Sequence, residues 1–308
     1  MKKLNYCVLI IFIIFTFHLI NNFIILKQDT VPLFFDEGGF YNLSVSYYKY
    51  LFSSPKIGRF FHHIYSISNF YPPLVFIERI PFFAIWGVSQ DVAVLANLPF
   101  LFMLIYFTFL IGKYIADAKT GLLAAFLISF YPGVYGFSRT NFITIPVAAM
   151  VAVSLYLLLR TESFSNRKLS ILLGISMGLG LLIKWLYVLY ILPAMLFIVL
   201  ESLVRHRQTR ISTMFINVLL SAGAAIVVAL PWYLPNIKNL IPMLFTASYD
   251  NPNWLNFVGY LKDNPFRLGL LSYATVMERY QLYTYYTILF IFFLIRYLLS
   301  KNSSLKWV

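Results

Sequence analysis

Eight apolar runs, at about residues 5–26, 91–112, 119–136, 142–160, 169–183, 185–203, 211–231 and 282–300, dictate most of what this chain can fold into. The hydrocarbon core of a bilayer is about 30 Å thick, and a helix needs roughly 20 apolar residues to cross it. Backbone polar groups inside that core must bond to one another, so such runs are expected as helices. Composition agrees: 60% of the 308 residues are hydrophobic, and mean hydropathy is +0.77. No alternating strand pattern competes. The expected fold is an all-α polytopic membrane protein, one transmembrane domain over residues 1–308.

Charge orders the runs. The net charge is +13, but the basic residues sit in short clusters. Lys113 with Lys119, Arg160 with Arg167 and Lys168, and Arg205 to Arg210 follow every second run. That is the positive-inside pattern, and it argues against a nucleic-acid partner. With Lys2, Lys3 and Lys301, these clusters belong in the cytoplasm, and so does the N-terminus. The first run outlasts a signal-peptide core and lacks a small-x-small cleavage site, so it is expected as an uncleaved helix. Cys7 is the single cysteine, which rules out an intrachain disulfide.

Two outer loops follow from this sidedness, 27–90 and 232–281. Within the first, residues 73–87 are nearly a span, but the stretch is short, contains Glu78 and Arg79, and is interrupted by Pro81. If it crossed, every later basic cluster would change side. It is therefore expected as an interfacial helix on the outer face. A second interfacial helix is predicted over about 37–52, where Phe40, Tyr47, Tyr48, Leu51 and Phe52 form an aromatic-apolar stripe. Pro72 and Pro73 predict an extended entry into the 73–87 helix.

Only 11 residues are acidic, yet two of them, Asp36 and Glu37, are adjacent just beyond the first helix. A general base or a metal-binding carboxylate is one use for them. The other is structural, with Asp36 capping the following helix and both acids solvated. Lys56, Arg59, His62 and His63 lie in the same loop. They suit either a phosphate clamp or a segment resting on lipid headgroups. The adjacent histidines lack metal-ligand spacing. Arg139 and Lys184 stand at outer helix ends, where interfacial anchoring is the simplest role. Lys184 follows a small-residue face made by Gly174 and Gly178, which suits close helix contact and would hold the lysine where it can reach an anion. His18 is expected to be a satisfied polar residue of the first helix.

Taken in order, several motifs resemble those of GT-C glycosyltransferases. They are the apolar first helix, Asp36-Glu37 followed by Tyr41, and Tyr71-Pro72-Pro73-Leu74 ahead of an interfacial helix. Ser138-Arg139, the Gly-Leu-Gly-Leu-Leu-Ile-Lys stretch at 178–184, and Pro231-Trp232-Tyr233 complete the set. Over about residues 5–300 the chain is similar to the protein O-mannosyltransferase and aminoarabinose-transferase group, glycosyltransferase family 39 and its bacterial relatives. The resemblance implies an inverting enzyme in the cytoplasmic membrane with its active site outside. The donor would be a polyprenyl-phosphate-linked sugar, and the acceptor a hydroxyl on a glycolipid, glycan or protein. It assigns the base to Asp36 with Glu37 in support. Arg59, His62, His63 and Lys184 become donor-phosphate contacts, and Tyr41, Tyr71 and Arg139 supporting residues.

The chain departs from that pattern twice. Thr144 stands where the family usually has an acid, so a divalent metal would lack its second carboxylate, and the metal requirement is unknown. Relatives usually continue through further helices and often an outer soluble domain, so a C-terminally shortened member is expected. Both departures keep a second class of function open: a degenerate, non-catalytic membrane protein that binds or scaffolds polyprenyl-linked intermediates. A secondary transporter fits less well, because no inverted repeat appears and intramembrane charges are nearly absent.

Overall fold

The computed structural model describes residues 2–31, 33, 36–53, 64, 66–205 and 208–249. All regular structure among them is helical. The helices are α1 (Lys2–Gln28), α2 (Asp36–Ser53), α3 (Leu74–Trp86), α4 (Gln90–Leu95), α5 (Leu98–Ile115) and α6 (Ala118–Phe130). They continue with α7 (Pro132–Phe137), α8 (Thr144–Arg160), α9 (Arg167–Leu181), α10 (Tyr187–Arg205) and α11 (Gln208–Tyr249).

Most predicted runs reappear as single helices, and two are broken. The run 91–112 is divided at Ala96 and Asn97 into α4 and α5. The run 119–136 is divided at Tyr131, whose φ of −58° and ψ of 127° take the backbone out of the helix ahead of Pro132. The ring of a proline disfavours helical backbone in the residue before it, which accounts for this break. Tyr6–Gln28, Gln90–Ile115 and Ile211–Leu240 are long and apolar enough to cross a membrane. Ala118–Phe130, Thr144–Arg160 and Tyr187–Leu203 are shorter apolar helices. The run 282–300 lies outside the described residues.

The largest departure from expectation is α11. The chain does not leave the helix at Pro231 but continues to Tyr249, with Pro231, Pro235 and Pro242 inside it. At 42 residues it measures about 63 Å, twice the thickness of the hydrocarbon core. Each proline removes an intrahelical bond. Local side-chain support is present: Asn236 Nδ2 donates to the Trp232 carbonyl at 2.9 Å. The start of the predicted outer loop 232–281 is therefore helical, and its remainder from residue 250 lies outside the described residues.

Large apolar side chains face outward. Phe12, Ile13, Ile20 and Phe23 on α1, Leu196, Phe197 and Leu200 on α10, and Leu219, Ile226 and Val227 on α11 are exposed. An apolar surface this extensive belongs in lipid. The protein is membrane-embedded. Its core is built from Ile11, Leu101, Ile105, Phe109, Ala149, Leu173 and Tyr187. Tyr187 also donates to Ser154 Oγ at 2.6 Å, and Ser154 and Ser176 share a hydrogen bond of 2.7 Å, which ties α8, α9 and α10 together with paired polar groups.

The small-residue face of α9 packs against α11, as its spacing predicted. A methyl group on Gly178 would lie 2.8 Å from the Ala225 carbonyl oxygen and would also strike Val228. Overpacking of this kind costs about 1–3 kcal/mol. Gly178→Ala should therefore lower the midpoint of thermal unfolding in detergent. Gly136→Ala, where nothing stands within 4 Å of the added carbon, should leave the midpoint in place.

Candidate active site

Helix α7 ends at Phe137 and α8 begins at Thr144. The N–H groups of Ser138, Arg139 and Thr140 still donate to α7 carbonyls, and the Ile143 carbonyl accepts from Val147. The Ser138, Thr140, Asn141 and Phe142 carbonyls and the Asn141 N–H need partners from outside these helices. Side chains from elsewhere supply those partners. From α1, Asn22 Nδ2 donates to the Ser138 carbonyl at 3.1 Å, and its Oδ1 accepts from Arg139 Nε at 3.2 Å. Between α4 and α5, Asn97 Nδ2 donates to the Thr140 and Phe142 carbonyls at 3.1 and 3.2 Å. From α2, Glu37 Oε1 accepts the Asn141 backbone N–H at 2.8 Å, and Asn141 Nδ2 donates to the Glu37 carbonyl at 2.8 Å. From α3, Arg79 Nη2 donates to the Asn141 carbonyl at 3.4 Å.

Asn22, Asn97 and Asn141 were not singled out in the sequence. Each is an uncharged amide set among apolar residues and buried here. Buried polar groups in a membrane protein are paired, and that was the available signal.

This arrangement fixes the start of α2. The helix opens at Asp36 itself, so the carboxylate stands in the first turn rather than at the cap position. The unpaired N–H groups of a first turn favour a negative charge there. Asp36 is exposed, whereas Glu37 is half-buried and engaged by Asn141. Tyr71 joins Asp36: its ring meets Phe40 edge-on at 4.9 Å. Burial pushes its phenol pKa up, and the Asp36 charge pushes it further, so Tyr71 keeps its proton beside the carboxylate. Tyr41 is used differently. Its ring meets Phe83 edge-on at 6.2 Å, in a cluster with Tyr48, Phe82 and Val92 that packs α2 against α3 and α4.

Lys184 arrives at the same end of the bundle. The Leu74 N–H donates to the Leu182 carbonyl at 3.0 Å, and Tyr233 OH donates to the Leu181 carbonyl at 2.9 Å. Trp232 Nε1 donates to the Ser68 carbonyl at 3.3 Å, and the Tyr71 N–H to Ser68 Oγ at 3.1 Å. The turn carrying half-buried Lys184 is thereby tied to the segment carrying Tyr71. Pro73 has φ −84° and ψ −15°, so α3 starts directly after the proline pair and not after an extended entry. Lys56, Arg59, His62 and His63 lie outside the described residues.

Arg139 is half-buried rather than anchored in water. Its guanidinium lies 3.5 Å from the centre of the Tyr135 ring, and its buried Nη2 has no hydrogen-bond partner among the described residues. His18 differs from expectation. It is fully buried among the rings of Phe17, Phe130 and Tyr135, and neither ring nitrogen has a hydrogen-bond partner among the described residues. Thr144 is exposed at the start of α8. No group of three or more His, Cys, Asp or Glu side chains stands together among the described residues, so these residues do not form a metal-ligand set.

Glu78 and Arg79 lie inside the protein. Arg79 is completely buried, and burial pulls its guanidinium down to about 10, which still leaves it charged at neutral pH. Both Glu78 carboxylate oxygens are buried without partners among the described residues, and burial pushes the group up to about 8 against the pull of Arg79.

Among the described residues, a helical membrane bundle thus carries a carboxylate, a phenol and a lysine at one end. The family model of dolichyl-phosphate-mannose-protein mannosyltransferases matches residues 72–233, more than half of the chain, and the chain belongs to that family. It is a membrane glycosyltransferase of the GT-C type. No curated protein matches the chain. The matched stretch contains Arg139, Lys184 and Trp232. Asp36 and Glu37 precede it and are joined to it by the Glu37–Asn141 bonds.

The Glu78 environment predicts a pH dependence. The folded chain holds a proton that the unfolded chain, with an ordinary carboxyl at 4.5, releases. That contribution to stability is complete below about pH 4.5 and is lost as pH rises to about 8. The thermal midpoint of Glu78→Gln relative to wild type should therefore climb between pH 5 and 8. A constant offset across that range would contradict the assignment.

Proposed function

We propose that this glycosyltransferase moves a sugar from a polyprenyl-phosphate donor to a hydroxyl on a glycolipid, glycan or protein. The reaction takes place at the outer face of the cytoplasmic membrane, with the N-terminus of the chain in the cytoplasm. The sugar donor in the family's name, dolichyl-phosphate-mannose, supports a lipid-linked sugar. The observation that carries the site is the pair of Glu37–Asn141 hydrogen bonds. They hold the first turn of α2 on the family-matched stretch and leave Asp36 exposed beside Tyr71.

The acceptor oxygen attacks the anomeric carbon, and the bond from that carbon to the phosphate oxygen breaks. Attack from the face opposite the leaving group inverts the configuration. The hydroxyl proton passes to the Asp36 carboxylate, late in the step because the hydroxyl is by far the weaker acid. The electron pair of the broken bond leaves on the polyprenyl phosphate. Lys184 neutralises the developing negative charge, and such electrostatic stabilisation supplies much of the acceleration. Tyr71, protonated beside Asp36, donates a hydrogen bond that orients the carboxylate or the incoming hydroxyl. The apolar outer faces of α1, α10 and α11 let the donor's tail stay in lipid. Thr144, in place of an acid, favours one other reading, a protein that binds the lipid-linked sugar without turnover.

Asp36→Asn separates the two. Transfer of radiolabelled mannose from dolichyl-phosphate-mannose to the membrane fraction should fall by about 10²–10⁴-fold at equal abundance of the protein. The thermal midpoint should fall only slightly, because the substitution removes one exposed first-turn charge worth about 0.3–1 kcal/mol. Equal transfer by both proteins removes Asp36 from the mechanism. Retained donor binding with no transfer by wild type would support the binding protein.

A further inference from the structure

We infer that Arg79 is a positioning residue for Asp36, holding the first turns of α2 in register against residues 138–143. This rests on Asp36 being the base of the proposed reaction. The two ends of the Arg79 fork reach different elements. Nη1 donates to Ser44 Oγ at 3.1 Å and approaches the Phe40 carbonyl at 3.5 Å, both on α2. Nη2 donates to the Asn141 carbonyl at 3.4 Å. Asn141 in turn holds Glu37, the neighbour of Asp36, through both its backbone and its side chain. Ser44 completes the arrangement by donating to the Phe40 carbonyl at 2.8 Å. Arg79, Asn141 and the start of α2 thus form a closed triangle of hydrogen bonds, with Asp36 at its exposed corner.

Adhesion between α2 and α3 does not need this arginine. Aromatic pairs already join the two helices: Phe40 with Phe76, Tyr47 with Phe76, Tyr41 with Phe83 and Tyr48 with Phe83. The bonds of a buried cation add little net adhesion, since the cost of desolvating the charge offsets much of what they return. Among the described residues no carboxylate accepts a hydrogen bond from Arg79, and the nearest acidic group acting on it is its own neighbour Glu78. What the guanidinium adds is a planar fork whose two ends can each be satisfied only when α2 and the 138–143 segment stand in one relation. Lysine offers a single point of charge and cannot span both.

The test compares Arg79→Met, Arg79→Lys, Asp36→Asn and the double variant Asp36→Asn/Arg79→Met at equal abundance. The readout is mannose transfer from dolichyl-phosphate-mannose. A misplacement of about 1 Å costs on the order of 10² in rate. Arg79→Met should lower kcat by about that factor with KM for the donor changed by less than about twofold, because alignment and not binding is lost. Arg79→Lys should recover part of the loss. The double variant should be no slower than Asp36→Asn alone, since a base that is absent cannot be misaligned. Wild-type kcat in Arg79→Met overturns the inference, as does a double variant slowed by the product of the single effects. If Arg79→Met does not accumulate, Arg79→Lys decides by the same split of kcat and KM. Failure of both to accumulate makes Arg79 a stability residue and also overturns the inference. Equal transfer by wild type and Asp36→Asn, or none by wild type, sinks the catalytic assignment itself. Loss in Asp36→Asn with normal kcat in Arg79→Met sinks the positioning role alone.

Discussion

Peptide groups of a non-helical segment inside a membrane bundle cannot turn to water, and residues 138–143 are such a segment. Three of its N–H groups and the Ile143 carbonyl pair with the backbone of α7 and α8. The carbonyls of 138, 140, 141 and 142 and the Asn141 N–H are met by Asn22, Glu37, Arg79 and Asn97, drawn from α1, α2, α3 and the α4–α5 junction. An unmade bond in that setting costs several times what a made one contributes in water. The break between α7 and α8 therefore organises one end of the bundle. Each helix that supplies a partner is fixed in depth and rotation, and the start of α2 is fixed among them. The ends of α5, α6, α8 and α9 away from this segment carry Lys113, Lys119, Arg160, Arg167 and Lys168, so the polar end and the basic end are distinct.

The same constraint explains why the acidic pair is divided in its roles. Glu37 is drawn inward by the Asn141 N–H, and Asp36 is left outward at the first turn. Tyr71 and Lys184 reach this end through a separate set of bonds. The Leu74–Leu182, Trp232–Ser68 and Tyr233–Leu181 pairs tie α3, α9 and α11 together. Two sets of tertiary contacts thus converge at one end of the bundle, one on the start of α2 and the other on the segments carrying Tyr71 and Lys184.

The helical membrane class, the first helix, α2 and the close α9–α11 contact were legible in the sequence because each depends on local pattern. Apolar length set the first, aromatic spacing the second, and the spacing of Gly174 and Gly178 the third. The break at Tyr131 was legible in principle from Pro132. The continuation of α11 through Pro231 was not, because it depends on support from tertiary neighbours such as Ser68 opposite Trp232. Asp36, Glu37 and Lys184 stood out by their charge, and Tyr71 only through the family resemblance. Asn22, Asn97 and Asn141 carry no charge and no motif, and their importance appears only once the chain brings them to the same six residues. Glu78 and Arg79 were noticed for the wrong environment: charges that made 73–87 a poor span prove to be buried in protein.

The central claim is that the donor's phosphate binds at the polar end organised by residues 138–143. Photo-crosslinking with a polyprenyl phosphate carrying a diazirine next to the phosphate, with the adducts mapped by mass spectrometry, tests it most directly. The account predicts adducts on residues 66–74 and on the turn 182–186, competed away by unmodified polyprenyl phosphate. Adducts confined to the basic end, around Lys113 to Lys119 or Arg160 to Lys168, would contradict it.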